Sequence, residues 1–408
     1  MIFFIVVYLV ASIVAGDFYK VPITVAFTLT SIVAVLVSRG RLRKRLRVFS
    51  RGAGEPNLLL MIWIFVLAGA FANSAKEMGS IGDAVNLTLS VVPSNALLAG
   101  LFLASALISL SIGTSVGTIV ALTPIAVGMA GTVGASAPMM AAIVIGGSFF
   151  GDNLSFISDT TVVATQSQGV RMSDKFRTNI RIALPAALLM VVLYAFMGSE
   201  LTVPADLPAV NYLKVLPYLV VLVAAACGMN VLVVLCIGVL LTGIVGMIYG
   251  DYDLYSWFGA MGNGIAGMGE LIIITMLAGG VLEVIRSNGG IRFIMKHILS
   301  HVNSRRSAEL SIAALVCLVD LCTANNTVAI ITVSGIARDI SQRFSLDPRR
   351  VASILDTFSC TMQGIIPYGA QLLMAAGLAA CNPVDFMPYL YYPYVLGACA
   401  LIAILIRK

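Results

Sequence analysis

Two aspartates, Asp152 and Asp159, stand seven residues apart in the stretch GDNLSFISDTT (151–161), among Asn153, Ser155, Ser158, Thr160 and Thr161. The text just before it, MMAAIVIGGSFF, is that of a buried membrane helix. Hydroxyl, amide and carboxylate oxygens suit hard cations such as Na⁺. A carboxylate at membrane depth also trades between two forms, because burial favours the neutral acid and a bound cation favours the anion. Competition of Na⁺ and H⁺ for one such group is sufficient for exchange of the two ions. Small and hydroxyl residues alone serve helix packing equally well, but intramembrane carboxylates are costly and usually functional. Of the two, Asp159 is the stronger candidate by position: it sits between Ser158 and Thr160 and farther from the edge of the apolar run.

Three further polar interruptions break apolar text: SIGTSVGT (111–118) with Thr114 and Ser115, CTANNT (322–327) with Asn325, Asn326 and Thr327, and CTMQGIIPYGAQ (360–371) with Gln363 and Gln371. Non-helical backbone at membrane depth is tolerated only where protein buries it or where it lines a wet cavity. Unwound carbonyls and helix C-termini there favour a cation, and helix N-termini an anion. The four breaks are therefore expected to share one central ion- or substrate-binding site. Asp320 and Asp356, each in apolar text near a second-half break, join Asp152 and Asp159 as candidates for the proton path, the alternative being an ion pair with a neighbouring base.

The elements that position these residues must be membrane helices. With 59% hydrophobic and 11% charged residues and a mean hydropathy of +1.00, the chain has too little polar surface for a soluble domain of its size. It reads as an all-α polytopic membrane protein. Spanning or hairpin segments are expected near 1–16, 20–38, 57–75, 94–112, 114–131, 138–168, 182–198, 213–228, 229–249, 267–286, 307–323, 324–338, 350–378 and 391–406. The pairs 94–131 and 307–338 fit either two crossings or one re-entrant hairpin, since both return the chain to the same side. Residues 1–16 lack a basic leader and read as a retained helix. No nucleotide loop, zinc signature or nucleophile with a base is present, so neither an enzyme nor a cofactor is expected. The formal charge of +6 lies in a few loops and reads as topology, not as a nucleic-acid surface. The seven cysteines read as small packing residues, and Trp63, Trp257 and the tyrosines of YLYYPY as interface anchors. His297 and His301 fall on one face of a basic amphipathic segment.

The chain also repeats itself. LAGAFANSAKEMGSI (67–81) aligns without a gap on LAGGVLEVIRSNGGI (277–291) at an offset of 210. GTSVGTIVALTPIA (113–126) aligns on ANNTVAIITVSGIA (324–337), and AAIVIGGSFFGDNLSFISDT (141–160) on ASILDTFSCTMQGIIPYGAQ (352–371), both at 211. Before the first copy stands RGRLRKRLRVFSR, with seven bases and no acid; before the second stands YGDYDLYSWFGAMGNG, with two acids and no base. Matched connections carry opposite charge, so the halves are expected to be inverted. Residues 1–200 form the first half, 201–211 an extracytoplasmic linker and 212–408 the second half.

GDNLSFISDTT resembles the GDKxSPLSDTT sequence of NhaC-type Na⁺/H⁺ antiporters in the ion transporter superfamily, and GTSVGT, TANNTVAI and DTFSCTMQGIIPYGAQ are similar to that family's other motifs. The resemblance implies a multi-pass secondary transporter of the bacterial inner membrane, with inverted repeats and discontinuous helices, that exchanges Na⁺ for H⁺. The matching positions are Gly151, Asp152, Ser155, Ser158, Asp159, Thr160 and Thr161, then Asn325, Asn326, Thr327, Asp356, Ser359, Gln363, Gly364, Pro367, Gly369 and Gln371. It implies Na⁺ at Asp159 and Asp152, with Na⁺ and H⁺ as transported or coupling ions. The expected partners are small ions or a small organic solute, membrane lipid and a second copy as homodimer. Relatives of this type also move organic acids or amines, which is the alternative function. Here Asn153 replaces the family's lysine and Phe156-Ile157 its proline-leucine pair. A cation lost beside Asp152 makes that carboxylate easier to protonate or opens room for a different ion.

Overall fold

The computed structural model describes residues 22–204, 206–293 and 302–406. The expected helix at 1–16 and the histidine segment with His297 and His301 lie outside the described residues. The first half contains α1 (Ile23–Val37), α2 (Leu42–Ala53), α3 (Pro56–Glu77), α4 (Ser80–Val91), α5 (Ser94–Ile112), α6 (Ser115–Val133), α7 (Ala137–Leu154), α8 (Asp159–Gln168) and α9 (Met172–Gly198). The second contains α10 (Tyr212–Ala226), α11 (Val231–Tyr249), α12 (Leu254–Gly267), α13 (Gly269–Ser287), α14 (Arg305–Thr323), α15 (Asn326–Arg343), α16 (Pro348–Gln363), α17 (Ala370–Ala379), a 3₁₀ turn (Pro383–Tyr389) and α18 (Tyr391–Ile406). No strand occurs among the described residues. Among the described residues, seven helical stretches are long and apolar enough to cross a membrane, and the chain is a multi-pass membrane protein.

Local sequence sets the matching boundaries of the halves. α7 opens with a Ser136 cap that accepts from the Met139 N–H (3.3 Å), and α16 with an Asp347 cap that accepts from the Arg349 N–H (2.9 Å); a proline follows each cap. α5 ends on Gly113 at φ 74° and α14 on Ala324 at φ 49°, and the next residues, Thr114 and Asn325, are extended and start α6 and α15. α8 and α17 likewise end in the left-handed region, at Gly169 and Ala380. Each of these pairs is 211 residues apart.

Packing shows that the repeats are inverted. Leu58 of α3 packs over Gly279, Gly69 lies against Gly264, and Asn73 Nδ2 donates to the Ala260 carbonyl (2.8 Å). α3 thus runs antiparallel to α12–α13, its own repeat counterpart. Met268 packs over Gly69 as Leu58 packs over Gly279, the reciprocal contact that a two-fold axis perpendicular to the helices generates. The axis therefore lies in the membrane plane.

α5 and α7 run parallel, since Gly147 meets Phe102 and Gly151 meets Ser109 and Leu110. The α5–α6 turn consequently ends beside the break between α7 and α8, with the ten residues of α8, about 15 Å, extending past it. Both α5–α6 and α14–α15 are helical hairpins whose tips meet the broken helices. α8 packs on α15 and α17 packs on α6, so each half closes on the other's hairpin.

A Cβ at Gly151 would strike backbone atoms of Leu110 and Ala106, which cannot yield as a flexible side chain does. Gly151→Val is expected to cost at least about 3 kcal/mol and to abolish monodisperse protein on size-exclusion chromatography.

The basic run 39–51, expected as a loop, is mostly the amphipathic helix α2, with Phe49 against Gly280 of α13. The acidic run before the second copy is largely α12, whose glycines permit the close approach to α3. α9 begins ten residues earlier than expected, inside the charged text. Trp63 is exposed, but Trp257 is buried against Gly243, and Tyr392 is buried between Phe102 and Phe150; neither anchors an interface. All seven cysteines are free.

Candidate functional site

The two hairpin tips and the two helix breaks enclose one cavity of about 220 Å³. The first half contributes Thr114 and Ser115 from the α5–α6 tip and Asp152, Ser158, Asp159 and Thr160 from the α7–α8 break. From the second half come Asn325, Asn326 and Thr327 at the α14–α15 tip and Gln363 and Gln371 at the α16–α17 break. Leu60 and Met61 of α3 supply apolar wall. The lining holds two carboxylates and no Lys, Arg or His, which makes it a site for positive charge.

Asp152 forms the floor. It is 5% exposed, and its two oxygens accept from different elements: Oδ2 from Ser115 Oγ (3.1 Å) and Oδ1 from Ser158 Oγ. Ser158 Oγ lies 2.8 Å from Thr160 Oγ1. The opposite wall is joined to this one, since Gln371 Nε2 donates to Ser115 Oγ (3.0 Å) and Gln363 Nε2 donates to Gln371 Oε1 (2.8 Å) and the Ala324 carbonyl (3.1 Å). The side-chain oxygen Gln363 Oε1 is buried without a hydrogen-bond partner, leaving a ligand oxygen unused. Asp159 is exposed in the first turn of α8, where its charge complements the helix dipole. Sequence position ranks Asp159 first, yet the structure places Asp152 deeper.

Five sequence candidates do not line the cavity. Asn153 lies about 100° around α7 from Asp152 and turns its amide to Asp356 Oδ2 (3.1 Å) and Thr357 (3.3 Å). Position 153 therefore faces Asp356 and not Asp152. Ser155 ties the break to α5 by donating to the Leu110 carbonyl (3.1 Å), and Thr161 faces α9. Asp320 is fully buried in α14; its oxygens close no hydrogen bond among the described residues, and the Asn325 backbone amide is the polar group that faces them. Asp356 takes the ion-pair alternative: Lys175 Nζ lies 2.6 Å from Oδ2, and Asn179 Nδ2 donates to the same oxygen (2.9 Å).

Lys175 and Asn179 escape a reading of charge by segment, because both stand in a basic run that looks solvated. The signal is periodic: Lys175, Asn179, Ile182, Ala183, Ala186, Met190 and Tyr194 form one buried stripe along α9. A link runs from this pair toward the cavity, since the Thr160 hydroxyl lies beside the Asp356 carboxylate and next to Ser158.

Residues 1–199 and 205–407 match the sequence profile of the Na⁺/H⁺ antiporter family. The chain belongs to that family. This antiporter-family chain is 24% identical over 321 residues to the Na(+)/H(+) antiporter NhaC of Bacillus subtilis (strain 168), covering 69% of this chain and 70% of the relative. It is 23% identical over 302 residues to the malate-2H(+)/Na(+)-lactate antiporter of the same organism, covering 66% and 64%. It thus spans about two thirds of the length of these relatives. Among solved structures, the YdaH transporter of Alcanivorax borkumensis superposes on 93% of this chain and 97% of its own, with 12% identity and a TM-score of 0.47.

Proposed function

We propose that this chain is a secondary active transporter of the bacterial inner membrane that exchanges Na⁺ for H⁺ at the cavity between its halves. Asp152 supports the reading most directly: a carboxylate at a helix break, walled by hydroxyl and amide oxygens of both repeats, with no basic group lining the cavity. In the proposed cycle Na⁺ neutralises Asp152 from one side, Ser115, Ser158 and Gln363 complete its shell, and a proton takes its place from the other side. Because the ligands come from both inverted halves, rocking one repeat on the other changes the side to which the site opens. Asp159 at the mouth attracts the cation and lies outside its innermost shell.

The experiment uses purified chain in liposomes loaded with a pH-sensitive dye. Added Na⁺ is expected to drive proton movement that K⁺ and choline do not. Absence of any Na⁺-dependent signal from folded protein contradicts the reading. Asp159→Asn is expected to weaken apparent Na⁺ affinity by about tenfold, the scale of an exposed, screened charge, and to leave the maximal rate within a few-fold.

One observation favours a second reading, the Na⁺-coupled movement of an organic acid. The N-terminus of α8 carries Asp159, whereas that of α17 carries Ala370, no acid and no side-chain cap, and opens on the same cavity beside Gln371. An uncompensated helix N-terminus favours a carboxylate, and the cavity has room for several water molecules and so exceeds a lone ion. In this case Na⁺ alone produces no proton signal, and uptake of a radiolabelled small dicarboxylate into the liposomes requires Na⁺.

A further inference from the structure

Lys175 lies outside the cavity, 1% exposed, and three oxygens surround its ammonium: Asp356 Oδ2 at 2.6 Å, Thr161 Oγ1 at 2.6 Å and the Asn153 carbonyl at 2.5 Å. Two more buried oxygens of the cluster, Asn179 Oδ1 and Asp356 Oδ1, close no hydrogen bond. A carboxylate, a backbone carbonyl and a hydroxyl are oxygen donors that suit a hard cation, and Asn179 Nδ2 fixes the first two by donating to Asp356 Oδ2 (2.9 Å) and the Asn153 carbonyl (3.3 Å). The three oxygens lie 2.5–2.6 Å from one point, within the range of about 2.3–2.6 Å that oxygen ligands keep from calcium, an ion close to Na⁺ in radius. The carbonyl is supplied by the last turn of α7, where no further helical turn claims it. Lysine is a compact point charge on a flexible stem and enters such a space as a monovalent ion does.

We infer that the cluster of Asp356, the Asn153 carbonyl and Thr161, braced by Asn179, is a second monovalent-cation cage, occupied in this chain by the tethered ammonium of Lys175. The ammonium holds Asp356 neutralised without drawing on solution cations, so Asp356 does not count among the exchanging carboxylates. It also fastens α16 of the second half to α7, α8 and α9 of the first with a cation that never leaves. The cage meets the cavity at Thr160, and its occupancy by Lys175 stands whether or not the cavity transports Na⁺.

Lys175→Ala opens the cage. The parent for the test is full-length Asp152→Asn, in which the cavity's own carboxylate is absent, so that a gain reports the cage alone. Equilibrium binding of radiolabelled Na⁺ is expected to rise by one ion per chain on adding Lys175→Ala. The Tm in NaCl is expected to exceed that in choline chloride by about 3 °C at a Na⁺ concentration a hundred times the Kd. Both gains are expected to vanish when Asp356→Asn is added. Unchanged binding with no Na⁺-specific Tm shift overturns the inference. So does a Lys175→Ala variant that aggregates equally in NaCl and in choline chloride, since the cage is expected to fold when Na⁺ replaces the ammonium.

Discussion

Asp152→Asn is expected to lower apparent Na⁺ affinity by at least about a hundredfold and to abolish Na⁺-driven proton movement in liposomes. The size follows from electrostatics. A unit charge about 4 Å from a carboxylate at an effective dielectric of about 20 gains roughly 4 kcal/mol, worth about a thousandfold in affinity, of which the remaining oxygens recover part. Asparagine is nearly isosteric, so the hydroxyls of Ser115 and Ser158 keep a partner and the fold is expected to hold. The amide lacks the charge that binds Na⁺ and the site that accepts the proton. Exchange at the wild-type rate in folded Asp152→Asn would remove this residue from the mechanism.

Asp356→Ala is expected to be the most destabilising single change at the site. Both members of the Lys175–Asp356 pair are buried, at 1% and 0% exposure. Removing one partner of a buried pair costs about 3–5 kcal/mol, because the other charge is left without compensation. The Tm is expected to fall by about 4–6 °C, and Na⁺ is expected not to restore it, since the anionic wall of the cage is gone. Replacing both members, Lys175→Met with Asp356→Leu, removes two charges together and is expected to recover most of the loss. A double variant as unstable as Asp356→Ala contradicts this, and thermal unfolding in detergent reads both outcomes.

The repeat was legible because it rests on breaks, and breaks are encoded locally. Gly113 and Ala324, or Gly169 and Ala380, end helices at matching offsets whatever their neighbours are. The direction of the hairpins was not legible, because loop charge reports only the side on which a segment begins and ends. It took the parallel packing of α5 on α7 to place the tip beside the break between α7 and α8. α12 was missed because its glycines read as loop, although in a membrane they let helix backbones approach. Lys175 was missed because a run of charges was read as one solvated unit. Arg171, the extended residue before α9, has an 81% exposed side chain, while Lys175 lies inside the helix and is buried, on the face that Asn179 and Ile182 continue at spacings of four and three. At Asn153 the motif fixed the residue and not its direction. The question it raised concerns Asp356, which has its cation from α9.

Competition between Na⁺ and H⁺ for one buried carboxylate is the central claim, and the pH dependence of apparent Na⁺ affinity tests it most directly. Wherever the proton-bound form dominates, each unit decrease in pH is expected to raise the half-saturating Na⁺ concentration about tenfold, with the maximal rate constant. The sign follows from occupancy, since a proton on Asp152 must leave before Na⁺ enters. A half-saturating Na⁺ concentration that stays constant with pH while protons are still moved means that the two ions use separate groups, and contradicts the account.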